Sequence, residues 1–365
     1  MSYLFTSESV SEGHPDKVAD AISDAVLDMF MSHKDDKLRC ACETLVTTNQ
    51  VILAGEFKGE IDTLDVEYLV RKTVKNIGYE QEGFHWQDLQ ITNLMHGQSP
   101  DIALGTDNFG AGDQGLMFGY ACSDTDTHMP APIYYSHRIV EGLTYARKNG
   151  DAVWLGPDAK SQVTVEYNDD NTVKRFDKIV CSTQHHPDIP IEDIRAGVKT
   201  FITELLPSEY IDENTQFLIN PTGRFVIGGP DGDTGLTGRK IIVDTYGGMA
   251  PHGGGAFSGK DPTKVDRSAA YMARYLAKNI VADGRADWAQ VQLSYAIGVE
   301  EPTSLYVDSN GDSRELEKWI RENVDLTPKG IINRFDLFSP IYSSTTNYGH
   351  FGKSYLPWEK IDLFG

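Results

Sequence analysis

The sequence predicts an α+β fold, because segments with the composition of strands occur mainly in pairs that are followed by a helical segment. Val, Ile, Thr and aromatic residues predict strands at 41–47, 50–56, 162–167, 176–183, 216–220, 240–245 and 292–299. Apolar residues at helical spacing predict helices at 15–31, 62–77, 132–148, 191–205, 263–282 and 313–324. This mixed order argues against a doubly wound parallel sheet.

The clearest helix is the one at residues 15–31. Pro15 suits its first position, and Asp16 suits the positive end of the helix dipole. Aspartates recur every four residues and form a stripe along one face of this helix: Asp16, Asp20, Asp24 and Asp28. We expect most of the stripe to be solvated, with Asp16 as the exception because it lies beside the loop that contains His14.

Composition restricts the class of protein. The chain has 365 residues, 40% of them hydrophobic, which suggests two or three domains, or one large unit, with a sizeable core. The net charge of −21 argues against binding to nucleic acid or anionic membranes, so a local cluster of cations is informative as a polyanion site. The N-terminal residues lack a basic signal region, and no window of about 18 apolar residues occurs. We therefore expect a cytoplasmic protein.

A glycine-rich segment at 253–261 reads GGGAFSGKD. From Gly254 it has the spacing of a phosphate-binding loop, but Asp261 stands where that loop needs Ser or Thr, and the connection from the preceding predicted strand is too long. A P-loop ATPase or phosphotransferase is disfavoured and remains the alternative from another reaction class. Backbone N–H groups of the segment still suit a polyphosphate. Three side chains could accompany them: Lys260, Lys264 and Asp266.

A second glycine-rich segment, GAGDQG at 110–115, matches the dinucleotide-binding spacing letter for letter. That motif requires a strand before it and a helix after it, whereas here a strand-like segment, 116–121, follows. We interpret it as a tight loop that presents Asp113 to a ligand, with a plain turn as the alternative.

The segment GHPDK at 13–17 places an imidazole, a carboxylate and an amine around a helix N-terminus. Donors there could stabilise a departing phosphate chain, and Asp16 could bind Mg²⁺, although His14 could also be only a helix cap. Farther along, Phe225 could stack on a base, and Arg239 and Lys240 could bind phosphates. These segments predict a magnesium-dependent enzyme of a polyphosphate nucleotide without naming its reaction.

Taken in order, the segments resemble the signatures of methionine adenosyltransferases (S-adenosylmethionine synthetases) of the bacterial type. They are TSESVSEGHPDK at 6–17, GAGDQG at 110–115, DAKSQVT at 158–164, NPTGRFVIGGP at 220–230, GLTGRKIIVDTYGG at 235–248, GGGAFSGKD at 253–261 and YAIGVEEPTS at 295–304. The resemblance covers nearly the whole chain.

The resemblance implies three similar βαβ-type domains around a pseudo-threefold axis, interleaved in sequence. Their boundaries would be 1–12 with 124–228, 13–97 with 229–268, and 109–123 with 269–365, plus a mobile active-site loop at 98–108. It also implies a homotetramer, built as a dimer of dimers, with active sites at the dimer interface. The loop is short for a bacterial member, and we expect it to gate the site still, with altered kinetics or altered substrate tolerance.

The implied reaction joins L-methionine to the adenosyl part of ATP. The methionine sulfur attacks the ribose 5′ carbon in line and expels tripolyphosphate, which is then hydrolysed to diphosphate and phosphate. A neutral thioether needs no general base, so catalysis must come from alignment and from stabilising the leaving group. A non-catalytic relative should lack several site residues, and none of the matched cations and carboxylates is missing here.

The motif matches imply the following site residues. The catalytic residues are His14, Lys160, Arg239, Lys240 and Lys260. The ATP-binding residues are His14, Asp158, Lys160, Arg224, Phe225, Asp233, Arg239, Lys240, Ala256 and Lys260. The methionine-binding residues are Glu56, Gln98, Asp113, Asp233 and Lys264. Two Mg²⁺ ions per site are expected, with Asp16 and Asp266 as ligands, and one K⁺ per subunit at Glu43.

Overall fold

The computed structural model describes residues 2–33, 37–59, 63–97 and 110–364. Its helices are α1 (Pro15–Met31), α2 (Thr63–Ile77), α3 (Ala131–Asn149), α4 (Ile191–Leu205), α5 (Ile241–Asp244), α6 (Val265–Ala282), α7 (Ser313–Asn323) and α8 (Pro328–Phe335). Its strands are β1 (Tyr3–Val10), β2 (Arg39–Thr47), β3 (Gln50–Lys58), β4 (Glu80–Gln81), β5 (Phe84–His85), β6 (Gln90–Asn93), β7 (His96–Gly97), β8 (Gly115–Cys122), β9 (Leu155–Tyr167), β10 (Val173–His185), β11 (Gln216–Ile219), β12 (Gly235–Leu236), β13 (Trp288–Tyr295) and β14 (Ser304–Ser309). The predicted α+β class is confirmed. Within these ranges, no helix has the length and apolar content needed to cross a membrane.

Three sheets of three or more strands carry the described fold, and each takes strands from distant parts of the chain. The first sheet has the order β1-β9-β10-β11, antiparallel except between β10 and β11. The second has the order β12-β2-β3-β6, with β7 also paired to β3, and the third has the order β14-β13-β8. Each of these sheets therefore forms only when segments that are far apart in sequence pair with one another.

Each sheet is covered on one face by a helix. Helix α3 packs on β9 and β1, α1 packs on β2, and α6 packs on β8 and β13. Because side chains alternate along a strand, the residues between the buried ones point to the opposite face. We call these opposite surfaces the open faces. Their exposed side chains include Leu4, Thr6, Glu8 and Lys160 in the first sheet, Glu43 and Ala54 in the second, and Leu116 and Tyr306 in the third.

Helix α1 has the predicted bounds. His14 caps its N-terminus by accepting the Asp16 N–H at 3.1 Å, and Pro15 occupies the first turn, where no backbone donor is lost. Val18 and Ile22 are fully buried in the core beside the second sheet. The apolar face of α1 therefore anchors the helix, and its N-terminus brings His14 and Asp16 to one place.

The prediction that most of the acidic stripe on α1 is solvated is wrong. Asp20 and Asp24 are fully buried: the Lys17 ammonium lies 2.9 Å from Asp20, and the Arg267 guanidinium lies 2.7 Å from Asp24. Asp28 accepts two backbone N–H groups from the helical turn near residue 342. Charge pairing and hydrogen bonds, mostly from residues remote in sequence, offset the cost of burying this face.

The predicted strand at 240–245 is also wrong, because Ile241–Asp244 forms the short helix α5. Its β-branched residues favour a strand, but tertiary contacts decide otherwise. Lys240 Nζ lies 2.6 Å from Asp16, and Asp244 Oδ1 lies 2.7 Å from Lys17 Nζ, so both ends of this segment are tied to the start of α1. The predicted strand at 292–299 is shifted, since β13 ends at Tyr295.

We expect all four cysteine thiols to be unreactive in the native protein, because each is buried and free. Burial raises the pKa of Cys42 and of Cys181 to about 12, so almost no thiolate exists at pH 8. A chromogenic disulfide reagent should therefore label no thiol rapidly at pH 8 and four thiols in guanidinium chloride. A rapidly labelled native thiol would contradict this packing.

Candidate active site

Asp16, on the first turn of α1, lies among cations. Lys240 Nζ is 2.6 Å from its Oδ2, Arg239 Nε is 4.0 Å from its Oδ1, and the Leu236 N–H donates to Oδ1 at 3.0 Å. Burial alone would raise the pKa of Asp16, but the Lys240 ammonium and the Leu236 N–H hold it below its usual value. Asp16 is therefore an ionised carboxylate beside exposed Arg239 and half-buried Lys240.

His14 is buried and stays neutral. Burial, the Lys240 ammonium and the Lys160 ammonium lower its pKa to about 3. Its Nδ1 accepts the Asp16 N–H, so the proton of the neutral ring is on Nε2, which is a hydrogen-bond donor. We call the group the α1 cluster: His14, Asp16, Lys160, Arg239 and Lys240.

Asp158 borders the α1 cluster at the start of β9. Its Oδ2 accepts the Gly229 N–H at 2.8 Å, while its Oδ1 is buried without a hydrogen-bond partner in the described part of the chain. Burial raises the pKa of Asp158 to about 6, although the Lys160 ammonium opposes the rise. Asp233 also raises this pKa, and its exposed side chain accepts the Thr234 N–H. Asp158 thus retains a free acceptor for a ligand hydroxyl.

A second group of predicted residues lies at the glycine-rich segment 253–261. Lys260 Nζ is 2.6 Å from Asp266 Oδ2, and both side chains are about one quarter exposed. A Cβ added at Gly255 would lie 2.3 Å from the Asp266 carboxyl carbon, so a side chain there would displace this carboxylate. We call Lys260, Lys264 and Asp266 the glycine-loop cluster.

Asp261 explains the mismatch with a phosphate-binding loop. It is fully buried and accepts hydrogen bonds from the Cys40 N–H at 2.8 Å, from Thr263 and from Lys264 at 2.5 Å. The Lys264 ammonium outweighs burial and lowers the pKa of Asp261. Since helix α5, not a strand, precedes the segment, neither the residue at 261 nor its context is that of a P-loop NTPase.

Ala256 joins the two clusters. A Cβ at Gly238, where φ is +78°, would lie 2.5 Å from Ala256 Cβ, so the backbone beside Arg239 packs directly on the glycine-rich segment.

Phe225 is half-buried, and its N–H donates to His185 Nε2 at 3.1 Å, whereas Arg224 next to it is exposed. The Phe225 ring therefore sits on an ordered backbone, as a stacking residue requires.

The remaining predicted residues that the structure describes lie on strands or just before one, and Ala41 of β2 pairs with Glu56 and also bridges to Lys260. Glu43 is on the open face of β2; Glu56, on β3, pairs with Ala41 of β2, and its Oε1 lies 4.0 Å from His96 Nε2. Asp113 is exposed and accepts the Gln114 N–H at 2.7 Å. Gln98 and the loop at 98–108 lie outside the described residues, so their roles stay predictions.

Sequence reasoning missed several residues that position these clusters. The Tyr79 hydroxyl donates to the Gly13 carbonyl, and buried Lys17 joins Asp20 to Asp244. His252 accepts the Gly254 N–H at Nδ1, 2.8 Å away, and so fixes the turn before Lys260. Tyr79 and His252 carry no local motif, and Lys17, although it belongs to the GHPDK segment, shows its buried partners only in the tertiary structure.

The acidic side chains fit a magnesium–polyphosphate complex better than a metal site made of protein alone. Among the described residues, no three His, Cys, Asp or Glu side chains converge as a metal shell. Asp16 and Asp266 instead each contribute one carboxylate next to a lysine. Mg²⁺ commonly takes one or two carboxylates and completes its octahedron with waters and substrate phosphates, so this donor set fits it.

Sequence models of one family match successive parts of the chain. They describe the N-terminal domain of S-adenosylmethionine synthetase at residues 2–100, its central domain at 108–225 and its C-terminal domain at 227–360. The chain belongs to the S-adenosylmethionine synthetase family. These matched segments are consecutive, whereas each of the three sheets takes strands from two of them.

Curated relatives match over almost the full length. The S-adenosylmethionine synthase of Acidiphilium cryptum is 58% identical over 99% of this chain and 96% of its own length. Those of Paramagnetospirillum magneticum and Rhodospirillum centenum are 57% and 56% identical, each over 99% of this chain and 97% of their own. The family resemblance expected from the signature segments is confirmed.

Proposed function

We propose that this chain is a methionine adenosyltransferase, which forms S-adenosylmethionine from ATP and L-methionine and releases diphosphate and phosphate. The observation that carries the proposal is the pairing of Lys240 with Asp16 and of Lys260 with Asp266 in a family member. In an otherwise acidic chain of net charge −21, these lysines and their neighbours gather positive charge at the predicted phosphate positions.

His14 acts on the leaving group as a neutral donor. Its Nε2–H donates to the oxygen that departs from the ribose 5′ carbon, while Nδ1 is occupied by the Asp16 N–H. No residue has to remove a proton, because the attacking thioether carries none. The absence of a general base in this mechanism agrees with the α1 cluster, where lysines lie around the His14 imidazole and its pKa is about 3.

Lysine–carboxylate pairs prepare the site for a charged substrate. When ATP binds, Lys240 and Lys260 turn from the carboxylates to phosphate oxygens, and Asp16 and Asp266 become available to two Mg²⁺ ions. Bound Mg²⁺ supplies neutralisation of the charge that develops on the tripolyphosphate. Glu43 offers an exposed carboxylate to one K⁺ per subunit.

We further propose that each active site is completed by two chains of a homodimer, within a tetramer. Lys160 and the apolar Leu4 are exposed on the open face of the first sheet, Glu43 is exposed on that of the second, and the apolar Leu116 is exposed on that of the third. Face-to-face packing of these surfaces buries the apolar residues and brings the carboxylates of one chain to the cations of the other.

Two other features follow the family. The strands of each sheet fall within one of the three interleaved domains set out above, which supports those boundaries. The four free, buried cysteines suit a reducing compartment, and we propose the cytoplasm.

A product assay tests the function. Incubation with ATP, L-methionine, Mg²⁺ and K⁺ should give S-adenosylmethionine, diphosphate and phosphate in equal amounts, measured by chromatography. Omitting Mg²⁺ should abolish the products, and replacing K⁺ with a large organic cation should slow their formation. ADP without S-adenosylmethionine would overturn the proposal in favour of phosphoryl transfer.

A further inference from the structure

Arg267 follows the candidate metal ligand Asp266 on α6 but points into the protein. Its guanidinium is 1% exposed and forms a fork with the carboxylate of Asp24 on α1: Nη1 lies 2.7 Å from Oδ1, and Nη2 lies 3.1 Å from Oδ2. Such bidentate pairs fix direction as well as distance. The pair therefore ties the helix that carries Asp266 to the helix that carries Asp16.

The same guanidinium holds two carbonyls of the glycine-rich segment. Arg267 Nη1 donates to the Phe257 carbonyl at 2.9 Å and to the Lys260 carbonyl at 3.2 Å. Its remaining donors reach the Tyr271 hydroxyl at 2.9 Å and the Thr345 hydroxyl at 3.1 Å. Both ends of the backbone from 257 to 260 are thus set by this one side chain.

Asp24 holds the middle of that segment from the other side. Its Oδ1 accepts the Gly259 N–H at 2.9 Å, and its Oδ2 accepts the Thr346 hydroxyl at 2.7 Å. Gly259 has a φ of +81°, and a Cβ there would lie 1.9 Å from the Cys42 carbonyl oxygen. The segment is therefore packed closely against β2 at Gly259.

We infer that the Asp24–Arg267 ion pair positions Lys260 and Asp266 for the magnesium–tripolyphosphate part of the substrate. Arg267 determines the backbone of Lys260 by its carbonyl contact and that of Asp266 by covalent adjacency, so one buried group sets both members of the Lys260–Asp266 pair. This inference rests on the proposed function. Arg267 and Asp24 are positioning residues, because neither reaches the exposed part of the cluster.

The chain offers a matched control on the same helix. Arg274 of α6 is equally buried and forms a fork with Glu359, with Nε 2.9 Å from Oε1 and Nη2 3.0 Å from Oε2. Its other donors reach the carbonyls of Tyr120, Thr127 and His128, not the glycine-rich segment. If both ion pairs only stabilise the fold, substituting either arginine should have the same effect on activity. If the Asp24–Arg267 pair positions the site, substituting Arg267 should impair catalysis and binding more than substituting Arg274.

The test compares Arg267→Lys with Arg274→Lys. Lysine keeps the charge and loses the fork. We expect Arg267→Lys to lower kcat by about 10–100-fold and to raise the Mg²⁺ concentration for half-maximal rate about tenfold, since displacements near 1 Å cost such factors. The KM for methionine should change less than about twofold. Arg274→Lys should lower thermal stability without changing the Mg²⁺ requirement.

A binding measurement separates this inference from the proposed function. Titration calorimetry with inorganic tripolyphosphate and Mg²⁺ should give a Kd about tenfold weaker for Arg267→Lys than for the wild type and for Arg274→Lys. Asp24→Asn, which keeps the shape of the carboxylate, should weaken binding in the same direction. Equal effects of the two arginine variants, or wild-type binding by Arg267→Lys, would refute the positioning role. Binding without S-adenosylmethionine formation would refute the function alone.

Discussion

Replacing Lys260 with alanine is expected to lower kcat by about 10²–10³-fold, the usual cost of removing one pre-positioned group that stabilises developing charge. Lys260 Nζ lies 2.6 Å from Asp266, at the end of a segment whose backbone is held by Arg267 and Asp24. Because the departing tripolyphosphate carries several negative charges, losing this ammonium should affect turnover more than the KM for methionine.

The measurement is steady-state formation of S-adenosylmethionine, with Lys318→Ala as the control. Lys318 is three-quarters exposed on α7 and lies 3.9 Å from Glu322, so its loss should leave kcat unchanged. Folding of both variants is checked by circular dichroism. A Lys260→Ala enzyme that is folded and turns over at the wild-type rate would remove Lys260 from the site.

His14 is expected to matter as a donor and not only as a helix cap, and two substitutions separate these roles. His14→Asn retains an acceptor for the Asp16 N–H, whereas His14→Ala removes it. Both should lower kcat by about 10²-fold because both remove the Nε2–H donor. Only His14→Ala should also lower the free energy of unfolding for loss of the cap, by about 1 kcal/mol in urea denaturation. Full activity of His14→Asn would reduce His14 to a cap.

The same variants test whether two chains share each site. Co-expression of His14→Asn and Lys260→Ala chains with different affinity tags allows purification of mixed dimers. If His14 and Lys260 of one site come from different chains, each mixed dimer contains one doubly altered site and one intact site, and so about half the wild-type activity per dimer. If both residues come from the same chain, the mixed dimers should be as inactive as the parents.

Local sequence was sufficient to predict the elements whose conformation is determined by residues close together in the chain. The bounds of α1 follow from Pro15 and from the apolar spacing of Val18 and Ile22, and the structure reproduces them. The acidic stripe and the segment 240–245 were mispredicted because their conformations depend on partners about 200 residues away, such as Asp24 with Arg267. Strand β1 was not predicted, since TSES is polar and gains its stability from pairing with β9.

The candidate site likewise contains residues that local sequence predicted and residues that only the tertiary structure reveals. Motifs located most of its residues, because glycine-rich segments and clustered cations are local signals. Contacts of single residues, such as the Tyr79 hydroxyl with the Gly13 carbonyl, have no such signal. The role of Gln98 and the division of the site between chains stay predictions.

The interleaving of the sheets has a consequence for how the protein is made. Strand β1 leaves the ribosome first but pairs with β9, about 150 residues later, and β8 pairs with β13, about 170 residues later. The three large sheets are completed only when β11, β12 and β14 have emerged, so no large sheet can form before the chain has been made as far as β11. Long-range pairing of this kind is slow and leaves strand edges exposed in the interval. Demand for chaperones during synthesis should therefore be high for this chain, and C-terminal truncations that remove β13 and β14 should yield aggregates instead of a folded fragment.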